Sequence, residues 1–182
     1  MTYTGVVEQG GPPDVREVPG LLITKVCTPP FTNNCYLLRC TATGDTLLVD
    51  AAGDAPRLLV HAGDAADLPV PATRLVADGD TIQVGEVTLS VVHLLGHTPG
   101  SVALVYRGDP ERPHVFSGDS LFPGGVGNTE KDPARFGTLI DDVERKLFGR
   151  LPDETWVYPG HGTDTTLGAE RPALAGWRER GW

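Results

Sequence analysis

Apolar positions alternate with polar ones through most of the chain and recur at helical spacing in one place. Leu22-Ile23-Thr24-Lys25-Val26-Cys27, Cys35-Tyr36-Leu37-Leu38-Arg39-Cys40 and Thr46-Leu47-Leu48-Val49-Asp50 are short strand-like runs. A loop at Thr28 to Asn34 and a turn at Thr43-Gly44-Asp45 separate them, which predicts a three-stranded meander. Leu75-Val76-Ala77, Thr81-Ile82-Gln83-Val84, the long run from Val87 toward His97, Val102 to Tyr106, His114 to Asp119 and Thr155 to Tyr158 continue in the same manner. Between these blocks, residues 51 to 73 offer a short helical stretch around Ala55 to Ala62 and then the proline-broken Leu68-Pro69-Val70-Pro71.

The exception to the strand pattern follows Asp132-Pro133, an N-cap aspartate with proline at the first helical position. Phe136, Leu139, Ile140, Val143 and Leu147 then form one apolar stripe, and Gly149 ends the helix. On its wet face the spacing predicts Asp141–Arg145 and Asp142–Lys146 pairs, worth a few tenths, about 0.3 kcal/mol, each. A second helical piece is expected from about Pro172 to Arg180. Residues 1 to 20, where glycine and proline interrupt Val6, Val7 and Val18, read as an irregular arm with room for one edge strand. Residues 21 to 182 read as a single domain.

The totals narrow the function classes. A chain of 182 residues supports one domain with a real core. Fifteen basic against 24 acidic side chains leave a formal charge of −9, which excludes a phosphate-seeking surface: no nucleic acid and no anionic membrane is expected as partner. Neither an 18-residue apolar run nor a secretory leader is visible, so a cytoplasmic location is expected. Cys27, Cys35 and Cys40 lie in or beside apolar runs and read as reduced core residues. There is no Gly-x-Ser-x-Gly elbow for a serine hydrolase, and Gly124-Gly125-Val126-Gly127 lacks the lysine of a phosphate loop.

One device appears three times. An apolar run ends in glycine beside a metal-capable side chain, at Gly96-His97, Gly118-Asp119 and Gly160-His161. Glycine lets backbone approach an ion and its water closely. Two imidazoles and a carboxylate with an open position suit catalytic zinc, and the same set can form a facial triad for ferrous iron. The alternative is that three glycine turns merely end strands and leave their polar residues solvated. His93, four residues before His97, falls on the same face if the strand continues, where it would support His97 from behind. His61 reads as a solvated or capping residue, and His114 as a strand start near solvent.

Asn34-Cys35-Tyr36-Leu37, Leu48-Val49-Asp50-Ala51, Gly96-His97-Thr98-Pro99-Gly100-Ser101, Ser117-Gly118-Asp119-Ser120-Leu121-Phe122 and Tyr158-Pro159-Gly160-His161-Gly162 resemble, in order, the metallo-β-lactamase fold superfamily, nearest its glyoxalase II-like hydrolases. The resemblance implies an α+β fold, an αββα sandwich with the metal site at one edge. It further implies that His97 binds a first metal, Asp119 bridges, and His161 binds a second. The family's His-x-His-x-Asp-His motif, which supplies ligands to both metals, is missing from this sequence, whose five histidines are all isolated. The family's helix, strand and helix there need roughly 35 to 45 residues, so the fold is expected to be shortened between residues 51 and 73.

The expected function is therefore metal-dependent hydrolysis of a small-molecule thioester or ester. One ion rather than two, zinc first and iron second, would be held by His97, Asp119 and His161, with Asp119 as the catalytic residue that orients the attacking water. Two further readings compete. One is a catalytically inactive relative serving as a binding or self-assembly module, a homo-oligomer through an exposed sheet edge. The other is an iron-dependent sulfur oxygenase of the same superfamily.

Overall fold

The structure is a computed structural model that describes residues 2–29, 32–50, 59–61 and 74–181. Its first sheet is antiparallel and runs in chain order: β1 (Asp14–Val18), β2 (Leu21–Thr28), β3 (Asn33–Cys40) and β4 (Thr46–Val49). Strand alternation decides its two faces. Leu21, Ile23, Lys25, Tyr36, Leu38 and Cys40 point inward and are buried. Leu37 and Leu48, directly opposite each other, stay 39% and 49% exposed on the outer face. The strand expected in the N-terminal arm is β1, paired along its whole length with β2.

β5 (Leu59–His61) and β6 (Arg74–Val76) form a parallel pair. This corrects the helix expected over Ala55 to Ala62 at its described residues; the remainder of that range, and residues 68–71, lie outside the described residues. Alanine favours a helix locally, but Leu59 and Val60 gain a partner strand, and pairing overrides so weak a propensity.

The second sheet contains β7 (Thr81–Val84), β8 (Val87–His93), β9 (Val102–Tyr106) and β10 (His114–Gly118). A small hairpin, β11 (Leu121–Phe122) with β12 (Gly125–Val126), follows, and the sheet is completed by β13 (Trp156–Pro159) and β14 (Thr165–Thr166) in the order β14-β13-β10-β9-β8-β7. Only β10 and β13 are parallel in this sheet, so the chain between them must cross over. That crossover carries the long apolar stripe.

Helix α1 (Pro133–Asp142) begins as the sequence predicts, with the Asp132 carboxylate accepting from the Ala134 and Arg135 amides. It continues through a wider turn, Val143–Phe148, before Gly149. Phe136, Leu139, Ile140, Val143 and Leu147 are all buried, against Ala103, Val105, Val115 and Val157 of the second sheet and against Trp177. The C-terminal helical piece starts earlier than expected, with α2 (Leu167–Glu170), a short tight turn and α3 (Leu174–Arg180). The second sheet is thus buried on both faces, by the first sheet through Leu89, Leu104, Phe116 and Tyr158 and by the helices through the residues above.

Two further expectations are corrected. Asp141 does not pair with Arg145: Arg178 of α3 takes Asp141 at 2.6 Å, and Arg145 bonds Asp142 at 2.7 Å, because a neighbouring helix supplies a competing cation. Asp142 also holds Lys146 at 2.9 Å, as the spacing predicts. His114 is fully buried rather than near solvent, bonded by Asp109 at 2.9 Å and by the Tyr158 hydroxyl at 3.0 Å, since β10 lies between β9 and β13 from its first residue. The three cysteines are free. Among the described residues no helix is long and apolar enough to cross a membrane.

Candidate functional site

Asp119 and His161 leave the second sheet directly, one residue past β10 and two past β13, so parallel pairing of these strands sets their side chains next to each other. His161 Nδ1–H donates to Asp119 Oδ1 at 2.6 Å. His97 approaches from the other side, its Nε2 3.6 Å from Asp119 Oδ2, too far for a hydrogen bond but within reach of a shared ion. The His97 Nδ1–H donates to the Asn128 carbonyl at 2.8 Å. Each ring therefore spends its Nδ1 proton on oxygen and keeps the Nε2 lone pair, the usual preparation of a histidine ligand. The three side chains are between 28% and 43% exposed, so solvent and a substrate reach them.

Unlike Asp119 and His161, His97 is not at a strand end. β8 stops at His93, four residues earlier, and the same-face geometry expected for His93 and His97 is lost with it. His93 Nε2 instead bonds the Pro99 carbonyl at 2.9 Å, across the loop that carries His97. Helix α1 pins this loop: Arg135 donates to the carbonyls of Gly96 at 3.0 Å and His97 at 2.5 Å, Lys146 donates to the His93 carbonyl at 2.6 Å, and Asp142 accepts from the Leu95 amide at 3.2 Å. Close approach explains the glycines. A Cβ on Gly160 would sit on Asp119 Oδ1, and one on Gly127 would come within 2.9 Å of His97 Cβ.

A fourth side chain, the second carboxylate, completes the cluster. Asp50, just beyond β4, has a left-handed backbone at φ 55° and brings the first sheet to the site. Its Oδ1 lies 3.6 Å from where a Gly118 Cβ would be, and its Oδ2 is buried without a hydrogen-bond partner among the described residues. Burial, and then the nearby Asp119 charge, push Asp50 up to about 7, while His161 draws it down. Two carboxylates at close quarters, one of them with an orphaned buried oxygen, beside two imidazole lone pairs make a donor set that fits a small cation such as zinc or ferrous iron. Asp119 is turned onto His161, however, and among the described residues no three His, Cys, Asp or Glu side chains stand ready-arranged around an ion.

His97, Asp119 and His161, each marked in the sequence by a preceding glycine, are brought together in the structure. Asp50 and Asn34 lie within the family-like motifs, where the sequence assigns them no role. Their signals were present: an aspartate ending an apolar strand, and an asparagine opening one. Arg135 and Asn128 carried none, because their targets lie 38 and 31 positions away in the chain.

The metallo-beta-lactamase superfamily model matches residues 58–161, a span that includes His97 and Asp119 and ends on His161. Among curated proteins the chain is similar to hydroxyacylglutathione hydrolase GloC of Haemophilus influenzae, with 34% identity over 94 residues covering 52% of this chain and 42% of that protein. The chain spans about half the length of the curated relatives it matches. Among solved structures it is similar to TTHA1623 in a di-iron-bound form, with a TM-score of 0.61 and 30% identity over 81% of this chain and 96% of that one. It also shares its fold with the B3 metallo-beta-lactamase BLEG-1, at a TM-score of 0.71 and 23% identity over 82% and 96% of the two chains.

Proposed function

The chain belongs to the metallo-beta-lactamase superfamily, and on that premise we propose that it is a metal-dependent hydrolase of a thioester or ester, working with one ion held by His97, Asp119 and His161. The observation that carries this reading is the convergence of the two imidazoles from separate loops onto the Asp119 carboxylate, at 3.6 and 2.6 Å, beside the buried oxygen of Asp50 that has no partner among the described residues. Zinc suits the nitrogen-rich set, and iron is the alternative. When bound, the ion supplies a Lewis acid that polarises the carbonyl and acidifies water.

The protein's own groups do the rest. Nδ1–H bonds to Asn128 and to Asp119 fix the two imidazole tautomers, so that neither ring has to reorganise. Asp119, whose Oδ2 faces the His97 side of the site, orients the attacking water. Arg135 fixes the His97 backbone through its carbonyl.

A second reading has an observation in its favour. No ready-arranged metal group stands among the described residues, and the His-x-His-x-Asp-His motif is missing from the sequence. Both suit a relative that has kept the fold as a binding module, which would pair with a second copy along β4, an edge strand among the described residues, beside the exposed Leu48. Elemental analysis of protein purified without added metal separates the two. About one zinc or iron per chain, lost in both His97→Ala and His161→Ala, together with thioester hydrolysis, supports the hydrolase. A cooperatively folded protein without metal overturns it.

A further inference from the structure

The turn Pro159–Gly162 that carries His161 hangs from the wrong sheet. It leaves β13 of the second sheet, yet its carbonyl groups are satisfied from the first. The Asn34 amide donates to the Gly160 carbonyl at 2.7 Å, and the Asn34 side chain donates from Nδ2 to Pro159 at 2.9 Å and to Gly162 at 2.8 Å. One buried residue thus grips the chain on both sides of His161. Two N–H groups directed at two carbonyl groups is a task for which asparagine fits and its isostere aspartate does not, since a carboxylate has no donor.

Behind this grip stands a second one. Lys25, fully buried, sends its ammonium to the Gly162 carbonyl at 3.0 Å, to the Gly5 carbonyl at 2.7 Å and to Asp164 Oδ1 at 2.7 Å. All three of its donors are used. Asp164 in turn accepts from the Tyr3 hydroxyl at 2.7 Å and from Trp156 Nε1 at 2.9 Å. A buried ion pair is kept at such a cost in desolvation only where its partners are fully satisfied, and its gain then lies in fixing one arrangement. The arrangement fixed here is the turn two residues before Asp164.

We infer that Asn34, backed by the Lys25–Asp164 pair, is a positioning residue that holds His161 against Asp119. Its consequence for catalysis rests on the proposed reading of His161 as a ligand, but the positional claim concerns the protein without metal. His161 and Asp119 extend from adjacent parallel strands, and the position of His161 relative to the Asp50 side of the site is set by Asn34.

The decisive measurement is imidazole NMR of the metal-free protein, following exchange of the His161 Nδ1 proton bonded to Asp119, beside zinc affinity from competition with a chromophoric chelator. The variants are Asn34→Ala, Asn34→Ser, which reaches at most one of the two carbonyls and decides the matter if alanine prevents folding, and Tyr3→Phe, which removes one outer bond of Asp164 Oδ2 and leaves the Lys25 bonds to Asp164 Oδ1 and Gly162 in place. In the Asn34 variants the proton exchanges at least about tenfold faster and zinc affinity falls about tenfold or more, the size expected when a ligand loses its orienting partner. In Tyr3→Phe the thermal midpoint drops while the proton signal stays. A folded Asn34→Ser with a lowered midpoint and an unchanged His161 proton would overturn the inference and leave Asn34 as a tie between sheets. If the parent binds no zinc, the ligand reading of His161 fails, and the proton exchange still decides the role of Asn34.

Discussion

Arg135 Nη2 donates to the carbonyl oxygen of His97 at 2.5 Å, so a helix residue holds the backbone of a candidate ligand 38 positions earlier. The same guanidinium bonds the Gly96 carbonyl at 3.0 Å and the Glu130 carboxylate at 2.8 Å. The helix that packs the second sheet therefore also aims His97.

Replacing Arg135 by methionine keeps the aliphatic stem and removes these donors. The expected loss is about 1 to 2 kcal/mol of stability, as for charge-assisted hydrogen bonds to partly buried carbonyls. Zinc affinity should fall more than this stability change implies, because the loop of His97 is released. Urea unfolding in the absence of metal, beside zinc titration of the folded variant, separates the two effects; equal affinity in parent and variant would show that Arg135 is a stability contact alone.

What the sequence made legible was local. The Asp132 cap and the stripe from Phe136 to Leu147 are each written within a few residues, and the structure has them as read, while Gly118-Asp119 and Gly160-His161 stand at the ends of β10 and β13. Contacts that depend on the packing of the sheets were not legible. Asn34 meets Pro159 across 125 positions and Lys25 meets Asp164 across 139. A lysine at an inward-facing strand position, after Leu21 and Ile23, was the one sign that a buried partner must exist. His114 misled because a strand start is exposed only when its neighbours are short, and here Tyr106 and Trp156 flank it.

Three glycines give contrasting outcomes. At Gly96, φ is 142° and a Cβ would lie 2.6 Å from Leu139 Cβ and 2.7 Å from the Arg135 carbonyl, so Gly96→Ala must move helix α1; a loss of about 3 kcal/mol or more is expected. Gly160→Ala meets the Asp119 carboxylate, a movable group, and should weaken zinc binding while costing less stability. Gly137, in the middle of α1 with open space around it, should gain about 0.5 to 1 kcal/mol as alanine. Thermal and urea unfolding of the three variants test this order, and a destabilised Gly137→Ala would count against the helix environment described.

Asp50 sets the pH response of the metal-free protein. Burial and the Asp119 charge hold it near 7 when folded, against 3.8 for an unperturbed aspartate. A raised folded value means that the native state binds the proton more tightly, so this group's contribution to stability is present below pH 3.8 and is lost as pH rises toward 7. Asp50→Asn removes that loss. The variant should be more stable than the parent at pH 8, by about 1 to 3 kcal/mol, with the gap closing toward pH 4. Chemical unfolding of metal-free protein across this range checks it, and a gap independent of pH would mean that Asp50 is ionised throughout.

His114 acts at the other end of the scale. Burial lowers its tendency to take a proton, against the opposing pull of the Asp109 hydrogen bond, so its folded value lies below the ordinary 6.5. The unfolded chain then takes up the proton first as pH falls. Stability that is complete above pH 6.5 declines below it, until the folded value is passed. Asp109 is itself held low: burial would raise it, but the His114 bond and the Glu111 amide outweigh that, so its own contribution is lost only at more acid pH, as it protonates. His114→Gln, which can keep one bond to Tyr158 or Asp109 without titrating, should flatten the first phase of acid destabilisation, which sets in below pH 6.5, and leave the second. Because Tyr158 stacks on Phe116 with ring centroids 4.7 Å apart, the parent should also lose near-ultraviolet tyrosine signal in that first phase. An acid profile identical in parent and His114→Gln would place the proton uptake elsewhere and remove His114 from the account.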